Sequence, residues 1–354
     1  MIGERQHRRE RRGATGSSAR EQAARPGGCG QPVGKLAAAR KAPPVPAPRR
    51  PDELLHGPFT TAEAAAVGLT RSQLRSACWR RLLHEVHCSA ALPDSIGLRA
   101  AAIAKLLPPS AVVSGTAAAW VHGVDVRRPL DEPITVTYPR TNGISSRREV
   151  VIRHAQLPST DITQLGGIPV TTPLRTAFDL ARRRNLIEGV VALDALLNAR
   201  LVALDELREY VAAHRAWRGV RSAAKAVTLA EPRSESPMES RLRMVIVLPG
   251  LPRPEAQVAL CRPGGQEVAR IDLGYRDARK GYEFDGAEHE VRWEADRRRR
   301  NDIWFDFGWE LRNYGGADVY RRPQVIVAHV ARGLGVRVPV IPPIMLEWLS
   351  PRRW

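Results

Sequence analysis

Apolar positions fall without period through the first fifty residues and become periodic from about residue 54. The opening stretch is rich in Arg, Gly, Ala and Pro and closes on Pro43-Pro44-Val45-Pro46-Ala47-Pro48. That composition cannot bury a core, so residues 1–52 are expected to form a disordered basic tail. A DNA-binding arm and a start codon assigned too far upstream account for it equally well. Over 54–92, Thr60 and Thr61 offer an N-cap to a helix over 62–67 that Gly68 ends. Thr70-Arg71-Ser72-Gln73 has the capping-box pattern and predicts a second helix. On it Leu74, Ala77, Cys78 and Leu82 share one face, while Ser72, Arg75, Ser76, Trp79 and Arg80 lie away from it. Leu83 to Cys88 reads as a hairpin, and the region as a winged helix-turn-helix. A helical hairpin with a solvated basic face is the alternative.

Residues 95–230 read as mixed α/β. Ser114-Gly115-Thr116 caps a helix through Trp120, strands are predicted at 133–138 and 150–154, and Thr172-Pro173 opens another helix. Residues 231–345 alternate between periods. A helix over 236–247 precedes strands near 255–260, 268–275 and 281–285. A basic helix near 291–307, a strand over 309–314, and a further helix with a tail complete the chain. The fold class is therefore multi-domain α/β.

Composition narrows the picture. A hydrophobic fraction of 43% is enough to fill folded cores. No apolar run approaches the ~18 residues of a membrane span, and the N-terminus is too polar for a signal peptide. Cys29, Cys78, Cys88 and Cys261 are scattered without a CxxC pair, which argues against structural zinc and a disulfide framework and fits a reducing cytoplasm. The net charge is +18, and residues 1–50, with twelve Lys/Arg against three Glu, carry half of it. Such a balance points to a polyanionic partner, most simply double-stranded DNA. An Arg-rich composition inherited from a GC-rich genome is the bland alternative.

The candidate chemistry lies in Ile271-Asp272-Leu273-Gly274-Tyr275 and Tyr282-Glu283-Phe284-Asp285-Gly286-Ala287-Glu288-His289. Alternation puts Glu283 and Asp285 on one face of a strand, with Asp272 on the strand before it. Carboxylates brought together in this way repel unless a cation sits among them, and hard oxygens suit Mg²⁺ or Mn²⁺. Each acid also has a structural reading. Glu239 stands where a capping-box acid belongs after Ser236, Arg270 could pair with Asp272, and Arg279 or Lys280 with the Glu283 face. His289 is an acid–base candidate in a loop. Arg292, Arg297 and Arg300 are placed to meet phosphates or simply to form a solvated face.

Ser236-Pro237-Met238-Glu239, Asp272, Glu283-x-Asp285-Gly286 with His289, the basic helix, and Gly308-Trp309-Glu310-Leu311-Arg312 occur in an order that resembles the Vsr-like nuclease domains of the PD-(D/E)XK endonuclease superfamily. The resemblance covers about 231–320. It implies an αβββαβ restriction-endonuclease-like core cleaving DNA phosphodiesters with Mg²⁺. Asp272 and Glu283 would hold the metal, Glu239 would support it from its helix, and His289 would act as acid or base near the scissile phosphate, while Asp285 is a catalytic candidate from its place on the Glu283 face. The superfamily lysine two residues after the acid is here Asp285, although Vsr-like relatives also lack it. The region over 54–200 resembles the antitoxins of type IV abortive-infection toxin–antitoxin systems, which implies promoter binding and a toxin partner.

Two functions follow. One is a DNA-binding protein with a metal-dependent endonuclease domain, read through Ser72, Arg75, Trp79 and Arg80 and acting in phage defence or repair. The other is a non-catalytic, antitoxin-like regulator with a degenerate nuclease fold. RNA as the nuclease's target is equally compatible with the sequence. The expected divisions are 1–52, 54–92, 95–230 and 231–345.

Overall fold

The computed structural model describes residues 50–126, 133–138, 146, 148–285 and 303–350. The basic tail over 1–49 lies outside them, as do 286–302, which carry His289, Arg292, Arg297 and Arg300. The described chain is mixed α/β with three separate sheets.

The first sheet has the order β1-β3-β2, from β1 (Phe59–Thr60), β2 (Trp79–Leu83) and β3 (Val86–Ser89). Helix α1 (Thr61–Ala66) starts at Thr60 with a complete capping box: Glu63 N donates to Thr60 Oγ1 at 3.1 Å and Thr60 N to Glu63 Oε2 at 2.7 Å. Gly68 ends it in the left-handed region at φ 81°. The expected second helix is only a 3₁₀ turn, Gln73–Arg75. Its capping pair forms nonetheless, with Thr70 N donating to Gln73 Oε1 at 2.8 Å and Gln73 N to Thr70 Oγ1 at 3.3 Å. Beyond it the chain turns into β2, so the face assigned to a helix over 74–82 does not exist. A hairpin does join β2 and β3, with Glu85 at φ 58° in its turn.

The second sheet has the order β6-β5-β4-β8-β7, from β4 (Val112–Ser114), β5 (Ile134–Tyr138), β6 (Val150–His154), β7 (Ile162–Leu165) and β8 (Ile168–Thr171). Helices α2 (Ile96–Ala104) and α3 (Gly115–Val121) pack on it through Ile103, Ala118, Trp120 and Val136. Four helices follow: α4 (Pro173–Ala181), α5 (Leu186–Asn198), α6 (Leu204–Ala213) and α7 (Val220–Leu229). Thr172 caps α4 by accepting from Arg175 N at 3.3 Å.

The third sheet has the order β12-β11-β10-β9, from β9 (Glu255–Cys261), β10 (Glu267–Tyr275), β11 (Lys280–Phe284) and β12 (Glu310–Tyr314). The first three strands form an antiparallel meander, and β12 joins β11 in parallel. Helix α8 (Pro237–Val247) precedes the sheet, and residues 303–307 (α9) are helical before β12. Helices α10 (Gly316–Arg321), α11 (Pro323–Gly333) and α12 (Pro343–Leu349) close the described chain.

One hydrophobic cluster runs from α3 to α12. It holds Leu193 and Leu196 of α5, Leu242 and Val245 of α8, Tyr282 of β11 and Val330 of α11. The helices of the middle region and the C-terminal sheet therefore share a core. Two buried ion pairs cross within it. Arg243, with no exposed side-chain surface, meets Asp194 at 2.6 Å, and Arg241 clasps Glu188 with two bonds of 3.1 and 2.8 Å.

Candidate nucleic-acid interface and acidic cluster

In the N-terminal region, Leu74 anchors the 3₁₀ turn in a small core with Phe59, Ala64, Leu69 and Trp79. That anchoring turns Ser72 and Arg75 outward, and both are exposed. Trp79 corrects the sequence reading. It opens β2 and is 6% exposed, and its ring meets Phe59 edge-on at 5.3 Å. A ring buried there cannot reach a base edge. Arg80 is half-buried, and its Nη2 donates to the Leu92 carbonyl at 2.9 Å, so it braces the hairpin. The exposed cations of this surface are Arg71, held loosely at 3.4 Å from Glu85, with Arg75 and Arg81.

In the C-terminal region Ser236 caps α8, accepting from Glu239 N at 3.1 Å, and Pro237 fills the first helical position. Glu239 is buried. Its Oε2 accepts from Glu235 N at 3.0 Å and from Gln257 Nε2 at 2.7 Å. The cap therefore reaches one residue further back than a capping box, and the carboxylate also ties α8 to β9. Gln257 stands in the left-handed region at φ 54°, which kinks β9 at that contact.

Asp272 and Glu283 occupy adjacent strands, one step beyond the paired residues Leu273 and Tyr282. Glu283 is buried at 6% exposure, whereas Asp272 is half-buried. Asp272 Oδ2 accepts from Phe284 N at 2.9 Å, so the carboxylate takes up a β11 donor where the ladder opens. Asp285 is exposed, and its backbone N–H donates to Tyr314 O at 2.9 Å. Arg270, the alternative partner weighed for Asp272, meets Glu267 and Glu235 at 2.9 Å each. Lys280 pairs with Glu310 instead of the Glu283 face. Among the described residues, no group of three or more His, Cys, Asp or Glu side chains stands close enough to hold a metal ion. The structure thus brings Asp272 and Glu283 together and directs Glu239 toward Gln257.

The middle region hides a polar network that sequence reasoning missed. Arg175, 2% exposed, bonds Asp161 at 2.6 Å and Asp179 at 3.0 Å and lies 4.8 Å over the Trp217 ring. Tyr210 Oη donates to the same Asp161 carboxylate at 2.9 Å. Burial pushes this phenol upward, so it stays a protonated donor. Alternation of Arg and Asp at i and i+4 in α4 was the only available signal. Among the described residues, no helix is long and apolar enough to cross a membrane.

Residues 110–231, spanning the second sheet and helices α4 to α7, match the family described as AbiEi antitoxin C-terminal domain. Two uncharacterised proteins of Mycobacterium tuberculosis, from different strains, are each 31% identical to the chain over 245 residues, covering 68% of this chain and 88% of their own length.

Proposed function

This chain belongs to the same family as those two mycobacterial proteins, and on that premise we propose that it is a DNA-binding regulator of the antitoxin type. The match of residues 110–231 to the antitoxin domain carries the reading. In it, residues 54–92 bind promoter DNA through Ser72, Arg75 and the neighbouring Arg71 and Arg81. The excess of positive charge attracts the duplex. A cognate toxin is the protein partner implied, and the cytoplasm the compartment.

The test is fluorescence anisotropy with the duplex upstream of the protein's own coding sequence and a scrambled duplex of equal length. Preference for the first is expected. Arg75→Ala should weaken it by about 5- to 150-fold, corresponding to ~1–3 kcal/mol for one base contact. Equal, sequence-blind binding of both duplexes would sink the reading.

The second reading is a metal-dependent endonuclease in residues 231–345. Its support is the order helix, three antiparallel strands, helix and parallel strand, with Asp272 and Glu283 neighbours on β10 and β11. Mg²⁺ is commonly held by one or two carboxylates with water and substrate phosphates, which that pair fits. Bound there, the ion would polarise a phosphate oxygen. Asp272, already anchored to Phe284 N, would present a fixed carboxylate. Glu239, Asp285 and His289 would serve as supporting groups, and Arg292, Arg297 and Arg300 as phosphate contacts. Plasmid nicking with Mg²⁺ or Mn²⁺ that is lost in both Asp272→Ala and Glu283→Ala would favour this reading. An intact plasmid under every condition, with DNA binding retained, would leave the regulator alone.

A further inference from the structure

The third sheet carries a basic pocket away from the acid pair. Strands β11 and β12 run parallel with Lys280 beside Glu310 and Tyr282 beside Arg312. Alternation along both strands puts these four side chains on one face, the opposite of Glu283. The last turns of α11 roof them with His329, Arg332 and Gly333. The pocket is half open to solvent, with a volume of about 210 Å³. That exceeds the ~30 Å³ share of a water and falls short of the ~300–1,000 Å³ of a pocket that swallows a drug-sized ligand. It has room for a small anion or for one end of a larger molecule.

Its charges do not cancel. Lys280 is paired with Glu310, which Arg312 meets only at 3.4 Å. Arg332 has its Nε on the Ala328 carbonyl at 3.3 Å and no ion pair among the described residues. Two guanidiniums therefore face the pocket in excess of its single carboxylate and lysine. Tyr282 is 2% exposed and lines the same space, with its hydroxyl beside Gly333 of the roof. Burial pushes that phenol up to about 12, so it remains a donor at neutral pH. Burial and the two guanidiniums hold His329 below its ordinary value, so it is neutral there, with Nδ1 at 3.2 Å from Tyr314 Oη. Gly333 keeps the roof open: a Cβ on it would lie 2.9 Å from Tyr282 Oη.

We propose that this pocket binds a phosphate monoester, its two negative charges facing Arg312 and Arg332 and an oxygen accepting from Tyr282 Oη. Guanidinium forks match phosphate oxygens, and the dianion equals the pocket's charge excess. The site is independent of how the N-terminal region reads DNA. A free nucleotide and the phosphorylated 5′ end of a strand present the same group.

Isothermal titration of the full chain separates the sources. The ligands are inorganic phosphate, a nucleoside 5′-monophosphate, and one oligonucleotide with a 5′-phosphate or a 5′-hydroxyl. Binding of phosphate or the mononucleotide is expected. The Arg312→Gln, Arg332→Gln double variant should weaken it at least about tenfold, the ~1.4 kcal/mol of one lost charged contact. Both arginines are exposed, so the fold should survive, as an unchanged melting curve would verify. Gly333→Ala, which leaves the charge intact and fills the roof, should weaken it too. A 5′-phosphate advantage in the oligonucleotide pair identifies a strand end as the source, and its absence alongside mononucleotide binding identifies a free nucleotide. No binding of any phosphate, or binding unchanged in the double variant, overturns the proposal.

Discussion

Arg243 and Asp194 pose the sharpest energetic question at the residue scale, because both are almost wholly buried. Removing one partner strands the other charge in the core, at a cost of about 3–5 kcal/mol. Arg243→Ala should lose that much in urea denaturation, whereas replacing both residues by apolar ones of similar volume should cost far less. A double-mutant cycle separates the outcomes, and equal losses would deny the pairing its role. Protonation gives a second expectation. Burial lowers the pKa of His122, whose Nε2 lies 2.8 Å from the Thr171 carbonyl, and of His87. Their folded forms resist protonation, so the stability they contribute is full above the unfolded value near ~6.5 and is lost as pH falls through the lower folded values. Melting temperature should drop as the pH falls below about 6.5, and His122→Gln should flatten the drop. Asp272 and Glu283 were legible in the sequence because acids interrupt apolar strands. Arg243 was not, because its partner lies 49 residues away.

Elements were legible where local chemistry decides them. Thr60, Thr172 with Pro173, and Ser236 with Pro237 start helices where expected. Thr60→Ala should cost about 1 kcal/mol through the lost cap, measurable by thermal unfolding. The segment after Thr70 shows the limit. Its cap pair forms, yet the spacing of Leu74, Cys78 and Leu82 satisfies a helix while Trp79, Leu82 and Leu83 are buried from a strand. Tertiary burial of Trp79 against Phe59 outweighed a weak helical period. In the third sheet, Gly281 records a close approach, since a Cβ there would lie 2.4 Å from Leu311 Cδ2 and 2.8 Å from Ile271 Cγ2. Gly281→Ala should therefore cost about 1–3 kcal/mol by overpacking, despite alanine's better strand entropy.

At the scale of the whole molecule, charge predicts behaviour more directly than fold. A protein of net +18 should bind any duplex with an affinity that falls linearly in log–log against salt, by ~0.9 per phosphate neutralised. The specific duplex should keep an advantage that the scrambled one lacks at each salt concentration. The sequence reading divides the chain at about residue 230, between the mixed α/β region and the nuclease-like one. Instead α5 and α8 share a hydrophobic cluster and two ion pairs, a fact of pairing that no local pattern announces.

That shared core also sets an order of events during synthesis. Glu188 and Asp194 are translated 53 and 49 residues before Arg241 and Arg243. At ~5–20 residues per second, helix α5 waits roughly 3–10 seconds for its counter-charges. Helix formation itself takes only about a microsecond. A ribosome-bound chain that stops short of α8 therefore holds two carboxylates it cannot bury. These two ion pairs form only when the C-terminal region arrives, so a product truncated before α8 should be cut faster by protease than the full chain.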